Sequence, residues 1–164
     1  MSTRPRVTFN NKGVCSACQW SKEKKKLNWN LRKSKLLKLC KKFKKPYNPF
    51  DCIVAVSGGK DGSYVAHQLK TKYKMNPLTV TVRPAMETEL GRNNLGEFVK
   101  SNFNNILVSP DQEGLRKLNL YGLKEMGFPY YGWLISIHTA IIRIAINFNI
   151  KLIFYGEDGE LEYG

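Results

Sequence analysis

Residues 57–63 read Ser57-Gly58-Gly59-Lys60-Asp61-Gly62-Ser63, placing two hydroxyls, an ammonium, a carboxylate and three glycines within two helical turns. Gly58 and Gly59 permit positive φ and let backbone approach a bound group without a Cβ in the way. If a helix starts at this point, its first amides converge on one centre and its N-terminus adds roughly half a positive charge. Ser57 and Ser63 offer hydroxyl hydrogen bonds and Lys60 a full charge, so the set suits an anion of the phosphate class. Asp61 fits less well as a phosphate contact. It reads either as a favourable first-turn residue of the helix or as a carboxylate holding Mg²⁺ beside phosphates. Two glycines alone would mark only a strand-to-helix turn; Ser, Lys and Asp around them favour binding. The Walker A spacing cannot be written onto these residues, nor can the dinucleotide fingerprint.

Other residues with chemical capacity are scattered. Cys15-Ser16-Ala17-Cys18 supplies half of a tetrahedral zinc site, and neither Cys40 nor Cys52 completes it by spacing. Two free thiols in a tight turn is the plainer reading. A redox pair is disfavoured, because the pattern shows no helix capped by the pair. His138 and Arg143 fall in the apolar stretch 133–148, where a histidine reads as a satisfied core residue and a buried arginine requires an anionic or carbonyl partner. Gly156-Glu157-Asp158 comes directly off a strand, where open α/β sheets carry ligand loops; an ordinary acidic turn is the equal alternative. No general base stands out.

The elements that must position these groups follow from periodicity. Residues 1–20 read as irregular and 22–44 as one basic helix with Trp29, Leu36, Leu39, Cys40 and Phe43 in a single apolar stripe. Pro46 and Pro49 form a linker, dividing an N-terminal segment (1–47) from a main domain (48–164). Short apolar runs at 52–56, 77–82, 105–108 and 151–155 read as strands. Helical patterns at 61–73, 94–102, 111–126 and 133–147 alternate with them, the last expected to be largely buried. Such alternation predicts an α/β fold, a parallel sheet with helices on both faces. The abrupt stop after the fourth strand reads as a sheet incomplete at its C-terminus.

Charge and composition narrow the function classes. The net charge is +14, yet residues 22–45 hold twelve of the 27 basic residues and one of the 13 acidic ones. The basicity is therefore local, and says little about the main domain. It reads as a solvated helix face packing through Trp29, Leu36 and Phe43; RNA contact or steering of a small anionic ligand are the alternatives. Four cysteines do not make a secreted disulfide scaffold, no apolar signal region follows Met1, and residues 133–148 are too short to span a bilayer. A cytoplasmic location without membrane association is expected.

The loop, as Ser57-Gly58-Gly59-Lys60-Asp61 after a buried strand, resembles that of the PP-loop ATP pyrophosphatase superfamily (adenine nucleotide alpha hydrolase-like), with Gly62 where serine is commonest and Ser63 next to it. Further pieces are similar to the N-acetyl sugar amidotransferases of bacterial surface-polysaccharide synthesis. They are Thr3 to Phe9 running into Gly13-Val14-Cys15-Ser16-Ala17-Cys18, then Gly91-Arg92-Asn93-Asn94-Leu95, and Gly156-Glu157 ahead of Glu162-Tyr163-Gly164. Members of that branch are longer, and many have a further Cys-x-x-Cys upstream that would complete a zinc site. The resemblance implies ATP and Mg²⁺ as cofactors, with Zn²⁺ at Cys15 and Cys18. Lys60 and Asp61 would be catalytic, and Ser57 to Ser63 with Gly156 and Glu157 would bind nucleotide. The implied reaction adenylates the acetamido oxygen of a nucleotide-linked sugar and lets ammonia displace AMP. Ammonia would come from glutaminase-like and cyclase-like partner subunits. The rival expectations are a tRNA-thiolating enzyme of the same superfamily and a non-catalytic nucleotide-binding module.

Overall fold

The computed structural model describes residues 7–44 and 46–157. The chain divides into two compact units, one of residues 42–156 and one of residues 1–41 with 157–164. In the smaller unit, a turn at Asn10–Gly13 brings Phe9 and Cys15 into an isolated antiparallel bridge. The Asn10 side chain accepts from the amides of Lys12 (3.0 Å) and Val14 (2.9 Å), and Gly13 takes a φ of +71° to close the turn. Helix α1 (Ser16–Lys26) follows directly.

The basic segment expected as one helix is two. Leu27 leaves α1 in an extended conformation, and the Asn28 carboxamide accepts from the Leu31 amide (2.9 Å) at the start of α2 (Trp29–Phe43). Asparagine is a strong helix cap, and basic helical patterns on both sides of the lysine-free stretch 27–31 hid that boundary. The expected stripe also packs less fully than its spacing suggests. Cys40 is buried and Leu36 and Phe43 are half-buried, but Trp29 is 58% exposed with the Arg32 guanidinium 5.8 Å from its ring centre.

The larger unit is an α/β fold. Strands β1 (Cys52–Ala55), β2 (Pro77–Val82), β3 (Asn104–Val108) and β4 (Ile153–Phe154) form one parallel sheet in the order β3-β2-β1-β4. The connections contain α3 (Lys60–Thr71), α4 (Glu89–Lys100), and the pair α5 (Gln112–Met126) and α6 (Tyr131–Asn147). The chain moves outward from β1 to β3 and then returns to the far side of β1. Right-handed crossovers therefore put α3 and α4 on one face and α6 on the other.

Side-chain alternation agrees with that assignment. Ile53, Leu78 and Val80 point to one face and form a core with Ile141 and Ala145 of α6 and with Ile150. The opposite face carries Val54, Thr79 and Thr81. The two buried threonines are satisfied there, since Thr79 donates to the Asn104 carbonyl (2.7 Å) and the Asn105 amide nitrogen donates to both hydroxyls (3.0 Å each). Entry into β1 is fixed by Asp51, whose carboxylate accepts from the Asn76 amide (2.7 Å) while its own amide donates to the Asn76 carbonyl (2.9 Å).

Two other expectations change. Helix α4 starts at Glu89, because Thr88 caps it by accepting from the Gly91 amide (3.1 Å); Gly91 and the two asparagines had obscured its first turns. Helix α6 is not largely buried. Gly132, Ile141 and Ala145 are buried, whereas Leu134, Ile135, Ile142 and Ile146 are exposed, so an all-round apolar helix covers the sheet with a single stripe. Gly122 and Gly132 let α5 and α6 pack closely, since a Cβ at either would lie within 2.7 Å of a side chain on the other helix. Among the described residues, no helix is long and apolar enough to cross a membrane.

The two faces of α6 give a direct check. Ile141→Ala should cost about 2–5 kcal/mol in chemical denaturation, as expected for a truncated core isoleucine. Ile142→Ala, one residue away and exposed, should stay within about 0.5 kcal/mol of the parent.

Candidate functional site

The strand order reverses between β1 and β4, and it is at the carboxyl ends of these two strands that open α/β sheets hold ligands. Ser57-Gly58-Gly59 leaves β1 at this point, and Tyr155-Gly156 leaves β4. The seven loop residues and Gly156 therefore lie at one switch point, as their sequence positions suggested.

The loop depends on three close approaches that leave no room for a side chain. Gly58 has φ +85°, and a Cβ on it would sit 3.0 Å from the Leu95 amide nitrogen and 3.1 Å from the Gly91 carbonyl of α4. At Gly62, in the first turn of α3, it would lie 2.5 Å from the Ala55 carbonyl. At Gly156 it would lie 2.5 Å from the Gly62 nitrogen. The N-terminus of α3 is thus pressed against the end of β1 on one side and the exit of β4 on the other.

Gly59 occupies the cap position of α3 and so has no side chain to bond the first-turn amides. A helix start without a capping acceptor presents donors and a partial positive charge to a ligand. Lys60 extends its ammonium to the adjacent Asp61 carboxylate (2.7 and 2.8 Å), with the lysine side chain 88% exposed. An ion pair this open is weak and yields readily to a polyanion. Of the two hydroxyls, Ser63 donates to the Gly59 carbonyl (2.7 Å), which leaves Ser57 as the one able to donate to an anion.

Any side chain at position 62 would drive its Cβ into the Ala55 carbonyl, so the hydroxyl in this turn stands at Ser63.

Spacing in the sequence gave no hint that α4 borders this loop. Gly91 and Leu95 touch Gly58, and beside Gly91 the Glu87 carboxylate lies 3.8 Å from Arg92 Nε and 3.9 Å from Arg83 Nε. Two guanidinium groups are thereby gathered near the loop, one of them just past the carboxyl end of β2.

The remaining expected residues fare differently. Glu157 follows Gly156 as an exposed residue outside any helix or strand. Asp158, the Glu162–Gly164 piece and the Thr3–Arg6 part of the N-terminal piece lie outside the described residues. His138 is not a core histidine: it is exposed on α6, with its ring 5.9 Å from that of Tyr155. Arg143 is also exposed, so its charge stays in water and no buried partner is required.

The Cys15–Cys18 pair does cap a helix, contrary to the sequence expectation. Cys15 is the cap residue of α1, and its sulfur accepts from the Cys18 amide (3.4 Å). That amide and the Cys18 thiol hold the Cys15 pKa below its ordinary value, and the bond to Cys15 pushes that of Cys18 up. Among the described residues no group of three or more His, Cys, Asp and Glu side chains is gathered to hold a metal, so the pair supplies two sulfurs and no third ligand.

Two predictions follow from these distances. Gly62→Ser should lower stability by about 1–3 kcal/mol in denaturant melts, the cost of forcing atoms into a packed position. With iodoacetamide at neutral pH, Cys15 should be alkylated first and Cys18 later, with the buried Cys40 and Cys52 protected; peptide mass spectrometry reads the order.

No protein-family model matches the chain. Over 80 residues it is 32% identical to an uncharacterized protein of Methanocaldococcus jannaschii, a match that covers 49% of this chain and 28% of that relative.

Proposed function

We propose that the β1–α3 loop is the phosphate loop of an ATP pyrophosphatase of the PP-loop type, and that the chain belongs to an amidotransferase acting on N-acetylated nucleotide sugars. The observation that carries this reading is the Ser57–Ser63 loop at the β1/β4 switch point, leading into a helix whose cap residue, Gly59, has no side chain. The loop resemblance described above supplies the reaction class.

ATP would lie with its phosphates on the amides of Gly59 to Gly62 and the Ser57 hydroxyl. Lys60 would swing from Asp61 to the departing pyrophosphate, and Arg83 and Arg92 would add positive potential on the α4 side. Asp61 sits in the first turn of α3 with its carboxylate partly exposed, and such a group suits Mg²⁺ shared with phosphates. When bound, the ion neutralises charge developing on pyrophosphate. The acetamido oxygen attacks the α phosphorus and pyrophosphate leaves. Ammonia then adds to the imidate carbon and AMP departs with the former amide oxygen. The closely packed glycines keep the loop amides aimed before ATP arrives, so little reorganisation opposes the first step.

A second reading has its own observation. Trp29, exposed among the lysines of α1 and α2 with Arg32 against its ring, resembles surfaces that stack and neutralise RNA, which favours a tRNA-thiolating enzyme of the same superfamily.

The distinguishing measurement is product analysis with ATP, Mg²⁺, ammonium and a panel of N-acetylated nucleotide sugars. AMP, pyrophosphate and a sugar lighter by about one mass unit, oxygen replaced by NH, are expected. AMP release that requires tRNA and a sulfur donor would favour the second reading, and ADP as product would refute both. Lys60→Ala should weaken ATP binding in calorimetry by about tenfold or more, the loss of one charge-assisted contact, with no change in the thermal melt.

A further inference from the structure

The chemistry proposed above needs a group to take the proton shed when ammonia becomes an amidino nitrogen. The sequence offered none, because the two histidines both fell in helical patterns and His138 sat in an apolar one. The structure changes the standing of His138.

Helix α6 leads into the amino end of β4, so it runs antiparallel to the sheet and its N-terminal half, with His138, lies toward the carboxyl edge. The His138 ring is exposed and tilted by 47° against Tyr155, centres 5.9 Å apart. Tyr155 is the first residue past β4. The next residue, Gly156, is the one packed on the backbone of Asp61 and Gly62. The imidazole thus meets the phenol of Tyr155, and the next residue of the chain, Gly156, meets the β1–α3 loop. Apolar neighbours surround His138 in sequence: an isoleucine precedes it and the core residue Ile141 lies one turn on. The helix nonetheless turns this polar ring outward and toward the exit of β4. Burial pushes the Tyr155 phenol pKa up, so the hydroxyl stays protonated and able to donate at neutral pH.

We propose that His138, backed by Tyr155, is a catalytic residue of this crevice that contacts the acetamido group and accepts the proton of the incoming nitrogen. The inference rests on the amidotransferase reading. In that step the ammonia nitrogen forms a bond to the imidate carbon, and the carbon–oxygen bond breaks with its electron pair leaving on AMP. The proton released by the new nitrogen passes to the imidazole, which then gives it to solvent. Imidazole suits the task because its unprotonated ring nitrogen accepts a proton and can hand it on to water. Tyr155 holds the ring at the β4 side and donates to the bound sugar or to water beside it.

His67 on α3 is the other histidine in the chain, so His67→Gln leaves one imidazole C2 proton to follow by NMR. Adding Mg²⁺–ATP and UDP-N-acetylglucosamine should shift that His138 resonance. His138→Asn should bind ATP with the parent affinity in calorimetry and still release pyrophosphate. Its yield of amidino sugar with ammonium should fall by about 10²–10⁴-fold, the usual contribution of a proton-transfer group. ATP bound with the His138 resonance unmoved, or full amidino yield from His138→Asn, overturns the assignment and leaves the phosphate loop standing. Absence of ATP binding by the parent protein overturns the amidotransferase reading, and this inference with it.

Discussion

Gly62 and the Ala55 carbonyl meet at a separation that leaves no space for a methyl group, and the geometry of the crevice depends on that contact. It presses the first turn of α3 onto the end of β1. Gly156 then closes on the same turn from β4, and Gly58 turns through a positive φ to lie on α4. Three backbone approaches replace what side chains would otherwise do. Their consequence is electrostatic, since a helix start held this tightly and without a capping acceptor keeps its amides fixed in direction and available. Water can satisfy those amides, but an anion does so with a gain from the helix dipole as well.

The sheet explains why this contact occurs where it does. Strands β1 and β4 are neighbours that belong to opposite windings of the chain, so the loops after them meet at the switch point, where Gly156 packs on Gly62. The core beneath is built from alternate residues of β1 and β2 against one stripe of α6, with Ile53 and Ile141 almost completely buried. On the other face, Thr79, Thr81 and Asn105 satisfy one another, so the polar side chains of β2 cost little where they are buried. The rigid part of the unit thus lies directly under the loop.

Much of this was legible because the signals were local. The run Cys52 to Val56 read as a covered strand and forms β1, and the glycines after it read as the turn into a helix, which α3 is. What escaped the sequence was set by distance along the chain or by competing local signals. That Gly91 and Leu95 of α4 touch Gly58 follows from topology, which one sequence does not display. The start of α4 was hidden because Gly91 and the asparagines weaken a helical pattern that Thr88 nonetheless caps. Leu27 ends one helix and Asn28 begins another in the lysine-free stretch 27–31, between two basic patterns that read as one. His138 was misread for a different reason: apolar neighbours predict burial, but the sheet accepts one stripe of α6 and leaves the rest of that helix, histidine included, at the surface. The Cys15–Cys18 pair likewise caps α1, which no periodicity announced.

The central proposal is that the amides of Gly59 to Gly62 receive the phosphates of ATP. Backbone amide shifts of the isotope-labelled protein, followed while Mg²⁺–ATP is added, test it most directly. The account predicts saturable movement of the Gly58–Ser63 and Gly156 resonances, with those of α1 and α2 unmoved. Binding that moves only the resonances of the basic helices, or no movement in the loop at saturating ATP, would contradict it.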